Sequence, residues 1–488
     1  MPVSSLDWLA ERAARTPAAR ALERADVHLD YGELHRSVSD VANALERCGL
    51  GAGDRLAVAC PDGVHLARAV HAARRLALCL VPLNRRLTAA ELAFQLEDAG
   101  AALLLHDPSE HDAVAAATSA GVPHVAWPDL DRGDVLALSR PADPALDARA
   151  ATLIYTSGTT GRPKGALLTP ANFEASAIAS AFGLGSSPQE RWLACLPLFH
   201  VGGLSILWRS VLQGSTVVVH DRFEPERVAD ALMEDGVSAL SLTATMLVRL
   251  LDVWPRGAVP PELRFLLLGG GPCPQPLHDR ALANGFPVAL TYGLTEATSQ
   301  VATSPPERAS DPGLIPLWGT EVRVVDAEGR DTDTDGEIWV RGPTVMRGYW
   351  NRPEATAETL RDGWLRTGDL GRWDAQGRLH VLERRSDLIV SGGENVYPAE
   401  IEAVLSAHPQ VAEVGVAGRS DERWGQVPWA WIVARDGASP TGEELEGFCR
   451  ARLAGYKVPA HFETVSSLPR TAAGKLQRQR LGREDSDA

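Results

Sequence analysis

Residues 151–170 read ATLIYTSGTTGRPKGALLTP. The first five are apolar and partly β-branched, the pattern of a buried strand. Glycines, threonines, a serine, one arginine and one lysine follow over residues 156–165. Then ALL leads to Thr169 and Pro170, with Thr169 placed to cap a helix and Pro170 at its first position. A core strand that opens into so many glycines and hydroxyls suits an anion cradle. Glycines let backbone N–H groups approach, hydroxyls donate further bonds, and a lysine adds a point charge. A flexible surface turn has the same composition, so this stretch alone leaves both readings open. A Walker A loop needs Gly-Lys-Ser/Thr at its end. Here Lys164 lies between Pro163 and Gly165, which argues against a plain P-loop nucleotidase.

Outward from this stretch, strand-like and helix-like segments alternate. Residues 56–63 (LAVACPDG), 101–107 (AALLLHD), 215–220 (STVVVH), 237–242 (VSALSL) and 264–271 (RFLLLGGG) read as buried strands, with helical patterns at 91–99 and 225–233. Such interleaving predicts an α/β architecture of mostly parallel sheets flanked by helices, with ligands at the carboxyl ends of the strands. Beyond about residue 320 the texture becomes β-rich and antiparallel, with a tight turn at 375–377. A smaller α+β segment follows, with helices at 399–407 and 443–453 and strands at 411–416 and 430–433. The expected division is a large N-terminal domain over 1–384 and a small mobile domain over 385–488, with the charged RRSD at 384–387 between them.

The chain has 488 residues, 45% hydrophobic and 23% charged, with a formal charge of −15. Nucleic acid and anionic membrane surfaces are therefore not expected partners, and an anionic ligand must be captured locally. The six cysteines show no metal-like spacing, which suits inert core thiols in a reducing cytoplasm. The first residues, MPVSSLDWLAERAARTP, predict a helix capped by Ser4, with Asp7 three residues on and Pro17 as its stop. They do not have the pattern of a signal peptide, and no apolar run is long enough to span a bilayer. The expectation is a cytoplasmic protein without membrane insertion.

Four more segments belong with the first: YGLTE (292–296), GWLRTGDLG (363–371), ERRSDLIVSGGENVYPAEIE (383–402) and PRTAAGK (469–475). Together and in this order they resemble the acyl-adenylate-forming, ATP-dependent AMP-binding superfamily of acyl- and aryl-CoA ligases, luciferases and adenylation domains. LPLFHVGGLSILWRSV (196–211), LLLGGGPCPQPL (266–277) and YGLTEATSQVAT (292–303) are similar, more narrowly, to 2-succinylbenzoate–CoA ligases of menaquinone biosynthesis. The resemblance implies two half-reactions. An acid attacks the α-phosphate of ATP to give acyl-AMP and pyrophosphate, and coenzyme A then displaces AMP. A carboxylate is already ionised at neutral pH, so such a site needs cations, hydroxyls and backbone donors rather than a general base.

Carried over residue by residue, the resemblance assigns Thr156, Ser157, Gly158, Thr159, Thr160 and Lys164 to the β- and γ-phosphates. Thr295 falls to the α-phosphate and Glu296 to Mg2+. Gly269, Gly270, Gly271, Tyr292 and Gly293 belong to the nucleotide site, and Asp369 to the ribose hydroxyls. Arg384 helps hold the nucleotide, and Lys475 is the adenylation lysine. Ser386 stands at the hinge, where relatives carry Asp or Lys. After domain rotation, residues 391–395 (SGGEN), with Gly392 and Gly393, line the pantetheine tunnel. The acid pocket falls to His200, Gly202, Gly203, Ser299 and their neighbours, with His200 as the gate between carboxylate and thiol. A second carboxylate on the acid requires a cation, for which Arg209 and Arg222 are the candidates. The stretch SDPGLIPLWGTEV departs from the family's Gly-x-x-Gly-x-Pro turn. Another aryl, fatty or malonate-type acid, a carrier protein in place of coenzyme A, and nucleotide binding without catalysis remain open alternatives.

Overall fold

A computed structural model describes residues 7–133, 150–156, 163–254, 257–271, 273–306, 313–383, 388–469, 476 and 478–482. The strand expected at ATLIY spans Thr152–Thr156. It is followed not directly by a helix but by a second strand, Lys164–Leu168, antiparallel to it, with Thr156 opposite Lys164. The candidate phosphate loop thus joins two strands of one sheet, and Lys164 stands on the second strand rather than in a loop. The helix then begins as the sequence suggests. Pro170–Leu184 starts at Thr169, whose side chain accepts from the Asn172 backbone N–H while Asn172 reaches back to Thr169.

Two sheets carry the large body. In the nine-stranded one, Arg20–Arg24, Thr216–Val219, Arg191–Ala194, Ala239–Leu242, Phe265–Leu268 and Val288–Leu294 run parallel, with antiparallel edges. The four central strands, Thr216–Val219, Arg191–Ala194, Ala239–Leu242 and Phe265–Leu268, are short and almost wholly buried, as parallel strands covered by helices on both faces are. The seven-stranded sheet holds Arg55–Ala59, Cys79–Pro82, Leu103–His106 and the hairpin just described. A third, antiparallel sheet runs through Glu321–Val325, Gly336–Arg341, Trp364–Trp373 and Leu379–Glu383. The fourth contains only strands from Ile389 onward and has its own core around Ile401, Leu405 and Ile432. The interval 384–387, where a domain boundary is expected, lies outside the described residues. No helix among the described residues is long and apolar enough to cross a membrane.

One detail at the start differs from expectation. Asp7 is itself the cap of helix Trp8–Arg15, accepting from the Ala10 backbone N–H at 3.1 Å. A carboxylate so near a helix start caps more directly than it completes a box from Ser4, and Ser4 lies outside the described residues.

The helix Pro170–Leu184 is tied to the segment that supports the site. Asn172 donates to the Pro343 and Val345 carbonyls at 2.7 and 2.9 Å. Thr298 donates to the Thr344 carbonyl at 2.6 Å, and the Met346 N–H donates to the Glu296 carbonyl at 2.7 Å. Replacing Asn172 by Ala leaves two carbonyls unsatisfied and should cost about 2–3 kcal/mol. A lowered urea midpoint checks this, and an unchanged midpoint contradicts it.

Candidate active site

Where the parallel strands of the nine-stranded sheet end, a cavity of about 250 Å³ opens. Its walls come from the ends of those strands and the segments after them, including Leu196, Pro197, His200 to Gly203, Thr243, Gly269, Gly270, and Gly293 to Glu296. Thr156 enters from the other sheet, Asp369 from the antiparallel one, and Gly392 to Asn395 from the fourth. Residues spread over more than two hundred positions meet here because strand ends in parallel sheets share one side.

At one end of the cavity, Glu296 sits in a single 3-10 turn, Thr295–Ala297. The next two residues, Thr298 and Ser299, both have positive φ. That costs energy for side chains of this kind and persists only when neighbours enforce it. Bonds from Thr298 to Thr344 and from Ser176 to the Thr298 carbonyl do so. The Tyr349 hydroxyl donates to Glu296 Oε1 at 2.8 Å, and Lys164 Nζ lies 5.3 Å from the centre of the Tyr349 ring. Burial, reinforced by Glu296, pushes the Tyr349 hydroxyl far up, so it remains a donor. Asp369 is buried and accepts from the Tyr292 hydroxyl at 2.7 Å. Tyr292 therefore supports Asp369 from behind rather than lining the cavity. A Cβ at Gly293 would lie 1.7 Å from the Ser299 carbonyl oxygen, so the backbone itself demands glycine there.

Across the cavity, strands Ile389–Ser391 and Glu394–Val396 are joined by Gly392 and Gly393, with φ of 59° and 88°. Two successive left-handed residues make the tight hairpin turn that glycine pairs favour. The turn points Glu394 at the large body. Its Oε2 accepts from His200 Nε2 at 3.0 Å and Asn84 at 3.2 Å, and its Oε1 pairs with Arg86 at 3.2 Å. Burial alone would raise the Glu394 pKa, but His200, Arg86 and Lys457 outweigh it and hold the carboxyl below its ordinary value. A smaller cavity of about 80 Å³, lined by Asn84, Phe199 and Tyr456 among others, meets the first at His200, Glu394 and Asn395.

The third part is built on helix Val201–Gln213, whose amino end opens on the cavity beside His200. A Cβ at Gly203 would meet the Pro197 carbonyl at 2.6 Å, so close packing requires that glycine. At Gly202 the nearest atom is 3.7 Å away, so a side chain would fit there at the expense of the cavity. Arg209 stands seven residues on, on the same helical face. It is 2% exposed, yet it lines the cavity. Its guanidinium lies over Trp192 at 4.6 Å, and its Nε and Nη1 have no hydrogen-bond partner. Burial lowers its pKa to about 10, against the pull of Glu190, so it stays charged at neutral pH.

Arg222, the other candidate cation, is 79% exposed, pairs with Glu224 and is absent from the cavity wall. It is a surface arginine, which corrects the substrate-binding expectation. Gly271 packs beside Val390 and also lies outside the wall. His200, Gly202, Gly203, Arg209, Gly269, Gly270, Thr295, Glu296, Ser299 and Asp369 share the cavity with Thr156, Gly392 and Gly393. Ser157, Gly158, Thr159, Thr160, Arg384 and Lys475 lie outside the described residues. Sequence reasoning did not assign Asn84, Arg86, Tyr349 or Arg366, all of which border the two cavities. Only the cationic NRR run around Arg86 offered a local signal.

The chain matches the AMP-binding enzyme family over residues 9–350 and the AMP-binding enzyme C-terminal domain over residues 400–475. It is 43% identical to a 2-succinylbenzoate–CoA ligase of Bacillus velezensis, covering 97% of both chains. Two solved structures of o-succinylbenzoate CoA synthetase from Bacillus subtilis are each 40% identical to it. The double mutant bound to its product analogue OSB-NCoA superposes with a TM-score of 0.90, covering 98% of each chain. The complex with the acyl-adenylate intermediate OSB-AMP gives 0.71, covering 99% of this chain and 98% of that one.

The depressed Glu394 pKa predicts a pH signature. A carboxyl held below its unfolded value of 4.5 stabilises the fold fully above that pH, and the effect is lost as pH falls through the lower folded value. Glu394→Gln should therefore be less stable than the unaltered protein at neutral pH, with the difference shrinking below pH 4.5 and lost once pH has fallen through the lower folded value. Unfolding midpoints across pH test this, and a constant difference contradicts it.

Proposed function

The chain belongs to the AMP-binding enzyme family, and from that premise we propose that it is an AMP-forming acid–CoA ligase. It converts 2-succinylbenzoate, ATP and coenzyme A to 2-succinylbenzoyl-CoA, AMP and pyrophosphate through an acyl-adenylate, a step of menaquinone biosynthesis. The names and full-length coverage of the relatives support the reaction. The observation within this chain that carries the choice of acid is Arg209, a buried cation on the cavity wall whose Nε and Nη1 have no hydrogen-bond partner. An aromatic acid bearing a second carboxylate supplies the partner that Arg209 lacks, and an uncharged side chain does not.

In the first half-reaction the acid's carboxylate oxygen attacks the α-phosphorus and pyrophosphate leaves. The amino end of helix Val201–Gln213 opens on the cavity and favours an anion there. Thr295 and Lys164 stabilise the phosphates, and Asp369, oriented by Tyr292, holds the ribose. Glu296, oriented by Tyr349, offers a hard oxygen donor for Mg2+. The described residues contain no group of three or more His, Cys, Asp or Glu side chains that could hold a metal ion. Held at Glu296, Mg2+ would offset the negative charge of the phosphates. Residues 157–160 and Arg384 take the remaining phosphate and nucleotide contacts, and Lys475 serves adenylation.

In the second half-reaction the coenzyme A sulfur attacks the acyl carbon and AMP leaves. A large body through residue 384 and a small one from 385 change orientation between the two. The arrangement seen here resembles the product-analogue complex far more than the acyl-adenylate complex, which supports reading it as the thioester-forming orientation. The smaller cavity at His200 and Glu394 is then the route of the thiol. All six cysteines are free, and five are buried, which suits a cytoplasmic enzyme.

An acid panel assayed for AMP release with and without coenzyme A tests the reading. 2-Succinylbenzoate should far exceed benzoate and octanoate, and equal turnover contradicts the assignment. Arg209→Met should raise KM for 2-succinylbenzoate by about 10²-fold, the scale of losing one partner of a buried charge pair. An unchanged KM assigns the second carboxylate elsewhere.

A further inference from the structure

We propose that Lys457 is a positioning residue for thioester formation, fastening the small body to Glu91 of the large body in the orientation seen here. The proposal rests on the two-orientation reading above. Lys457 ends a 3-10 turn, Gly455–Lys457, and its side chain is 5% exposed. Its Nζ donates to Glu91 Oε1 at 2.6 Å and to Glu400 Oε1 at 2.7 Å. Glu400 belongs to helix Pro398–Ser406 of the small body and travels with Lys457. Glu91 does not. It lies in the first turn of helix Ala89–Ala99, where its other oxygen accepts from the Thr88 N–H and hydroxyl at 2.8 and 2.9 Å.

One ammonium therefore bridges a carboxylate that moves and a carboxylate that is fixed. Only docking of the two bodies lets it serve both, and any swing of the small body breaks the bond to Glu91 while keeping the bond to Glu400. Ala454 and Tyr456, just before Lys457, join the apolar cluster of the large body that contains Leu87 and Leu92, so the apolar and the ionic contact are made by the same short stretch. Buried ion pairs add little net stability compared with apolar packing, but an unpaired one is costly. Such a group is poorly suited to holding a fold together and well suited to selecting one docked register. Lys457 is also among the cations that hold Glu394 ionised opposite His200, which links the fastening to the junction of the two cavities.

The full-length protein with Lys457→Met tests this, through two half-reactions measured separately. Adenylation is followed as acid-dependent pyrophosphate release without coenzyme A, and thioester formation as single turnover of preformed acyl-AMP with coenzyme A. Thioester formation should fall by about 10- to 100-fold, while adenylation stays within about threefold of the unaltered rate. Glu91→Gln keeps its bonds to Thr88 and should show the same split more weakly. The double variant should be no slower than Lys457→Met, because Lys457→Met already breaks the contact that Glu91→Gln weakens. Should Lys457→Met fail to fold, Glu91→Gln alone decides. Equal loss in both halves, or no loss in thioester formation, overturns the proposal. Absence of pyrophosphate release from the unaltered protein with 2-succinylbenzoate would instead overturn the assignment of the acid.

Discussion

The Glu394 carboxylate, buried between two bodies and bonded to His200, Asn84 and Arg86, is the contact on which this arrangement turns. An ionised carboxylate in so dry a place is tolerable only while those partners surround it. All three stand on the large body, whereas Glu394 stands on a glycine-paired hairpin of the small one. The same contact therefore reports that the bodies are docked, and it lies where the two cavities meet.

The electrostatics of the site follow from the chemistry it performs. A carboxylate approaching a phosphate is repelled, and a chain of net charge −15 adds to the difficulty at long range. Attraction has to come from groups within a few ångströms, where a low dielectric strengthens each of them. Lys164 against the ring of Tyr349, Tyr349 against Glu296, and the open helix end beside His200 form such a local set. Arg209, buried on the wall of the same cavity, adds a further cation. The absent side chain at Gly202 leaves the helix face above it open.

Much of this was legible in the residues. Short apolar runs interleaved with helical patterns marked the parallel strands and the side on which ligands collect. Thr169 and Pro170 marked a helix start. The strand Lys164–Leu168 was not legible, because KGALL is brief and contains a glycine that looks like part of the loop. That glycine is needed where Leu153 lies, 2.7 Å from where a Cβ would stand. Arg209 and Arg222 were equivalent as letters, and only burial separates them. The partners of Glu394 lie 194 to 310 residues earlier in the chain, and no local pattern announces a contact across that span. The pairing of Lys457 with Glu91 was hidden for the same reason.

Movement of the small body is the most exposed part of this account. Spin labels at Glu46 and Glu443, exposed helical positions on the large and small bodies, allow the distance between the bodies to be measured by pulsed electron resonance. With a stable acyl-adenylate analogue alone, the distance should differ from that in the present structure. Adding coenzyme A should shift the population to the distance between those positions seen here. One unchanging distance under both conditions would contradict the account.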